Sequence, residues 1–144
     1  INAPMIVLKF ARPQNQARST FRIDRRGTRD GDPTMLVSFR ERARPRLITS
    51  PDQAEASGTM LVNAATGEVL ETELRLMTGD TAVTLQTRFE RRTPDGLRVP
   101  VVMKETYAVT PPRQLARTLE AEATYSRFRT FGVVISTNVE GNEP

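Results

Sequence analysis

The residues that could do chemistry in this chain are carboxylates, because the side chains most used as bases, nucleophiles and soft metal ligands are missing. The 144 residues include no histidine and no cysteine, which excludes Ser–His pairs, an HExxH zinc helix and thiolate metal sites. Two glutamate pairs remain, Glu71 with Glu73 and Glu120 with Glu122. On a strand, this spacing places both carboxylates on one face roughly 7 Å apart, where water ionises both. We therefore predict no catalytic residues and no enzymatic activity.

Three aspartates around Gly31, namely Asp24, Asp30 and Asp32, resemble part of a calcium-binding loop. The twelve-position pattern with its terminal glutamate is missing. We interpret this stretch as an ordinary turn, and we predict neither a metal ion nor another cofactor.

Arginine supplies nearly all of the positive charge, since only two of the 21 basic residues are lysines and the net charge is +4. The densest group is Arg40, Arg42, Arg44 and Arg46, whose spacing would place all four on one face of a strand. Such a face can bind phosphates, or it can protect an exposed strand edge from aggregation. We favour protection, so nucleic acid is not an expected partner.

Alternation of apolar and polar residues dominates the chain, and helical periodicity is scarce. The strands predicted from it cover residues 19–25, 34–42, 59–63, 68–78, 82–92, 97–109 and 115–134. Short turns, without helices of 10–15 residues between the strands, predict a mainly β fold with little helix. We expect a single curved antiparallel meander sheet, like half a barrel, in one domain over residues 1–144. Because the chain begins at Ile1 rather than methionine, we also expect it to be the C-terminal part of a longer chain.

One apolar face per strand implies that one side of the sheet is buried. The candidate ligand-binding stripe on this side consists of Val83, Leu85, Phe89, Val99, Val101, Met103 and Tyr107. The stripe is either the wall of a hydrophobic ligand cavity or a core filled by protein, and both interpretations stay open. No long amphipathic helix is available as a lid, so we expect the sheet to close on itself or to pack against a segment outside this chain.

Glu105 interrupts the stripe, because strict alternation places its carboxylate on the apolar side. Burial of an unpaired carboxylate costs several kcal/mol. We therefore place Glu105 at the open rim of the sheet; a bulge, or a cationic or hydrogen-bonding partner, is the alternative.

Three segments carry a family resemblance. The run 58–75 contains a hairpin around Ala64-Ala65-Thr66-Gly67, and the run 94–105 begins Pro94-Asp95-Gly96-Leu97. Both resemble the LolA-like lipoprotein-sorting superfamily, and the run 123–133 is similar to the ending of uncharacterised exported bacterial proteins. The resemblance covers about half of the chain. It implies an unclosed barrel whose concave face holds acyl chains, and a periplasmic or cell-envelope location.

We expect a non-enzymatic cell-envelope domain that carries or senses a hydrophobic ligand, a lipid or a lipoprotein acyl chain, on the concave face. The alternative is a structural or protein-interaction module whose apolar face packs on a partner protein or on a missing N-terminal segment. Polyanion binding through the arginines is a third, weaker interpretation. No apolar run approaches the roughly 18 residues of a transmembrane helix, so we expect no membrane-spanning segment.

Overall fold

Seven antiparallel strands follow the alternating pattern of the sequence and form one sheet in the computed structural model, which describes residues 3–50, 52–93, 95–111 and 115–128. The strands are β1 (Ser19–Arg29), β2 (Asp32–Glu41), β3 (Ser57–Asn63), β4 (Val69–Thr78), β5 (Thr81–Arg91), β6 (Arg98–Val109) and β7 (Arg117–Thr124). Each strand pairs with the next along the chain. Within the described ranges β1 and β7 do not pair, so the sheet is open. The predicted meander is confirmed. The last strand is shorter than the predicted 115–134, since it ends at Thr124, and positions 129–134 of that prediction lie outside the described residues.

The hairpin between β1 and β2 is tighter than the sequence indicated. The strands predicted at 19–25 and 34–42 leave residues 26–33 as a loop, which is wrong, because β1 continues to Arg29 and β2 begins at Asp32. Only Asp30 and Gly31 form the turn, with φ angles of 52° and 87°. Two successive positive φ angles match the right-handed twist of the strands, which explains why an Asp-Gly pair suffices here.

Three bulges bend the sheet. The register shifts leave Asp24 in β1, Leu70 in β4 and Val101 in β6 as extra residues opposite the partner strand. Each bulge kinks its strand and increases the local twist, which gives the sheet its curvature.

Two one-turn helices precede the sheet, α1 (Leu8–Ala11) and α2 (Pro13–Gln16). Pro13 opens α2, where its missing N–H costs no hydrogen bond. The apolar face of the sheet, defined by Phe39, Leu74, Leu85 and Met103, packs against this N-terminal segment and the connection between β2 and β3. The buried core cluster comprises Val7, Phe10, Phe39, Ala54, Ala56, Met60, Leu74, Leu76, Val83, Leu85 and Met103.

The sequence indicated either a sheet that closes on itself or a sheet covered by a segment outside this chain, and neither arrangement is observed among the described residues. The described sheet is open, and the covering residues belong to this chain, with Val7 and Phe10 exposed by only 2% and 0%. A helix of four residues is too short to give a periodic signal, which is why the sequence did not predict this cover.

The predicted stripe of four arginines is wrong. Strand β2 ends at Glu41, so Arg40 alone of the four lies on a strand, and it pairs with Glu55 at 3.2 Å. The Arg46 side chain is only 7% exposed. Its Nε donates to the carbonyl of Gln53 at 3.3 Å, and its Nη1 donates to the carbonyl of Glu41 at 3.2 Å. Arg46 thus ties the chain after β2 into a compact turn.

Candidate functional site

The predicted stripe is mostly buried core. Val83, Leu85, Phe89, Val101 and Met103 are between 2% and 7% exposed. They lie on the apolar face, since β5 and β6 are neighbours with Val83 opposite Tyr107 and Thr87 opposite Met103. Tyr107 is partly buried at the edge of the core cluster.

The N-terminal segment supplies the side chains that cover this face. The Phe10 ring lies 4.7 Å from the Phe39 ring, centroid to centroid. Val7, one turn before Phe10, belongs to the same buried cluster. Alanines at 54 and 56 close the cluster from the connection after β2. These side chains form one buried cluster with Val83, Leu85 and Met103 of the stripe.

Val99 does not share the stripe's face, contrary to the sequence prediction. The bulge at Val101 shifts the pairing, so that Phe89 lies opposite Pro100 and Glu90 lies opposite Val99. Residues directly opposite each other in antiparallel strands point to the same side. Val99 therefore lies on the side of Glu90, away from the buried ring of Phe89.

Glu105 lies inside the apolar face rather than exposed at its rim. Its exposed fraction is 8%, and the strand pairing puts it between Leu85 and Ala121. The Tyr107 hydroxyl donates a hydrogen bond to Glu105 Oε2 at 2.7 Å. The rim position was therefore wrong, but the hydrogen-bonding partner expected for a buried carboxylate is present.

Tyr107 and Tyr125 share the surroundings of Glu105. Burial, the hydrogen bond to Glu105 and the negative charge of that carboxylate raise the pKa of Tyr107 to about 12. Burial and the same charge also raise the pKa of Tyr125. Both phenols stay protonated near neutral pH, so Tyr107 acts as a hydrogen-bond donor that satisfies a buried acid.

A groove of about 570 Å³ lies on the opposite, polar face of the sheet. Residues from six strands line it, which means that the sheet is concave on this side. Its polar lining includes Glu71, Glu73, Arg88 and Lys104, and none of the seven stripe residues is among the residues that line it. The groove therefore belongs to the face that the sequence predicted to be wet, not to the face predicted to hold a ligand.

Three of the four glutamates in the carboxylate pairs singled out in the sequence contact polar partners. Glu71 accepts from Arg29 Nη1 at 2.7 Å, and Glu73 accepts from Gln86 Nε2 at 2.8 Å. Glu122 pairs with Lys104 at 3.2 Å. These contacts are those of a solvated ion-pair surface, and they do not place two acids around a shared reacting atom.

The three aspartates near Gly31 do not form a shared site. Asp24 accepts from Arg22 Nε at 2.6 Å, and this hydrogen bond is the main cause that lowers the pKa of Asp24. Asp32 accepts from Asn63 Nδ2 at 3.2 Å. Within the ranges that the structure describes, no group of three or more acidic side chains could hold a metal ion.

Sequence reasoning missed a clamp at Asp52. Its carboxylate accepts from Ser50 Oγ at 2.8 Å, from Thr78 Oγ1 at 3.1 Å and from the Gly79 N–H at 2.9 Å. The hydrogen bond from Gly79 is the largest of the effects that lower the pKa of Asp52. The clamp fixes the connection after β2 to the turn between β4 and β5, and so holds Ala54 over the apolar face. A serine two residues before an aspartate is the only local signal.

Comparison of the chain with family models, curated proteins and solved structures finds no match. In the part of the chain that is described, no helix has the length and apolar character needed to cross a bilayer.

Proposed function

We propose that this chain is a non-enzymatic β module of the cell envelope that acts through contacts with other protein rather than by carrying a lipid. The observation that carries the proposal is the filling of the apolar face by Val7 and Phe10. The cell-envelope location rests on the resemblance of the segments 58–75, 94–105 and 123–133 to exported proteins.

Energetics favour a filled core over a ligand cavity. Cavities that bind small hydrophobic ligands typically enclose about 300–1,000 Å³ of mostly apolar space. Phe10 belongs to the same buried cluster as Val83, Leu85 and Met103 of the stripe, and loss of a buried phenylalanine from such a cluster costs about 3–5 kcal/mol. A lipid must offset this cost before it binds with net affinity.

Carrying of a hydrophobic ligand is the second candidate, because the superfamily resemblance favours it and Tyr107 offers a polar group beside the stripe. In that function the segment around α1 would act as a displaceable plug. The two candidates therefore differ in whether the segment containing Phe10 stays in place when an acyl chain is offered.

Titration with a fluorescent fatty acid separates the two candidates. We expect no saturable binding of the fatty acid to the wild-type protein, and uptake of benzene by Phe10→Ala, since apolar cavities left by truncation take up small apolar molecules. The matched control is Phe21→Ala, which removes the same group from a side chain 39% exposed and should leave the wild-type behaviour. Saturable binding of one fatty acid per wild-type chain would contradict the proposal and establish the carrier.

A further inference from the structure

The two edges of the open sheet are chemically complementary. Strands β1 and β7 each pair on one side only within the described residues. An edge strand presents a row of unpaired N–H and C=O groups, which is a template for another strand. The side chains along each edge therefore indicate which kind of strand can pair with it.

Strand β1 presents a basic polar side and an apolar side. Arg22 lies opposite Ser38 and Arg25 lies opposite Leu36, which places both arginines on the polar face of the sheet. Phe21 and Ile23 lie on the other side and are 39% and 48% exposed. Its edge therefore matches a strand that is acidic on the polar face and apolar on the other.

Strand β7 has this pattern. Glu122 lies opposite Lys104 on the polar face, and Glu120, two residues earlier, shares that face. Leu119 and Ala121 alternate with them on the apolar side, and Leu119 is 65% exposed. Among the strands that the structure describes, the one that fits the edge of β1 is thus β7 at the opposite end of the sheet.

We propose that two copies of this chain associate edge to edge, with β7 of one copy paired alongside β1 of the next. This inference rests on the proposed function and names the partner as a second copy. Strands 1 and 7 of a seven-stranded meander run in the same direction, so a joint that keeps the apolar faces on one side pairs them in parallel. Arginines then face glutamates on the polar side, and Phe21 and Ile23 continue the apolar surface of Leu119.

The two self-pairings are disfavoured by charge. A β1–β1 joint places Arg22 and Arg25 of one copy near the same arginines of the other. A β7–β7 joint brings together Glu120 and Glu122 from both copies. Like charges on facing strands destabilise the pair, whereas the mixed joint alternates the signs. The mixed joint is heterologous, because it uses different surfaces of the two copies.

Sedimentation velocity of the full chain at low salt tests this joint over about 1 µM to about 1 mM. We expect concentration-dependent association that weakens in 1 M salt, where the Debye screening length is about 3 Å. Arg22→Glu/Arg25→Glu and Glu120→Arg/Glu122→Arg should each lower the association constant by at least about tenfold. The matched control Arg92→Glu, at an exposed turn position that pairs with Glu90, should associate like the wild type.

An equimolar mixture of the two doubly substituted proteins gives the sharper result. Both joints between unlike variants carry opposite charges, because the first variant is acidic at both edges and the second is basic at both edges. We therefore expect mixed oligomers in which the two variants alternate, whereas each variant alone stays dissociated. Formation of these mixed oligomers also shows that both variants are folded. A wild-type chain that stays monomeric, or association that neither charge reversal changes, would overturn the edge-to-edge joint. Neither result bears on the filled core, which the fatty-acid titration tests separately.

Discussion

Truncation of Phe10 perturbs the packing of the N-terminal segment on the apolar face of the sheet. Its side chain is fully buried, although it belongs to a helix of only four residues, and its ring stacks at a tilt against Phe39. Phe10→Ala removes the ring and leaves a cavity above the sheet. We expect a loss of about 3–5 kcal/mol in the free energy of unfolding, the usual range for a buried phenylalanine.

This loss is a large part of the total stability, because domains of this size unfold with about 5–15 kcal/mol. It corresponds to a decrease of roughly 10–15 °C in Tm. The chain has no tryptophan, so urea unfolding followed by far-ultraviolet circular dichroism is the suitable assay. The slope of the free energy against urea should stay constant if both proteins unfold in one step.

Phe21→Ala is the control for this measurement. It removes the same ring from the exposed edge strand, where the Phe21 and Phe39 centroids are 6.3 Å apart. We expect a loss below about 1 kcal/mol. Equal losses for the two variants would refute the reasoning, because they would mean that the N-terminal segment does not pack on the sheet.

Three further predictions concern the sheet and its charged contacts. Gly58→Ala should lower the free energy of unfolding by about 1–3 kcal/mol or more in urea titrations, because its Cβ would overlap the Glu73 carbonyl oxygen, a backbone atom that cannot turn away. Asp52→Asn should be less stable than wild type at pH 7, since a lowered pKa means that folding favours the ionised acid. That stability is present above the unfolded pKa and is lost as pH falls through the folded one. The difference in Tm between wild type and Asp52→Asn should thus disappear below about pH 4. A difference that persists at low pH would mean that it does not come from ionisation of Asp52. Absorbance at 295 nm should report ionisation of Tyr107 near pH 12 in the folded protein, and near pH 10 in concentrated urea. A folded protein that titrates fully near pH 10 would show that this phenol is not buried beside a carboxylate.

The strands could be predicted from the sequence because alternation is a local property. Residues such as Val83, Leu85 and Phe89 have period two, and turns such as that at Gly67 carry a glycine with positive φ. Pro100 indicates an edge or a bulge in its strand, and a bulge does lie at the next residue, Val101. The extra residue itself could not be identified from the sequence, since it is set by the pairing of two strands. One such shift was enough to remove Val99 from the predicted stripe.

Which residues cover the apolar face could not be predicted, because this depends on contacts between distant parts of the chain. The sequence identified an apolar face correctly, but the residues that cover it, Val7 and Phe10, lie in a segment too short to show helical periodicity. Alternation shows that the Glu105 carboxylate does not fit the apolar stripe, and it places Tyr107 in that stripe. That the two form a hydrogen bond depends on side-chain conformations, which alternation does not determine.

Native mass spectrometry of the gently purified protein tests the central claim most directly. If the apolar face is filled by the protein itself, each chain should have the mass of its 144 residues, 16.1 kDa, and solvent extraction should release no lipid. A bound species of a few hundred daltons per chain that is lost on extraction would contradict the filled apolar face. It would mean that a ligand displaces the segment around Phe10.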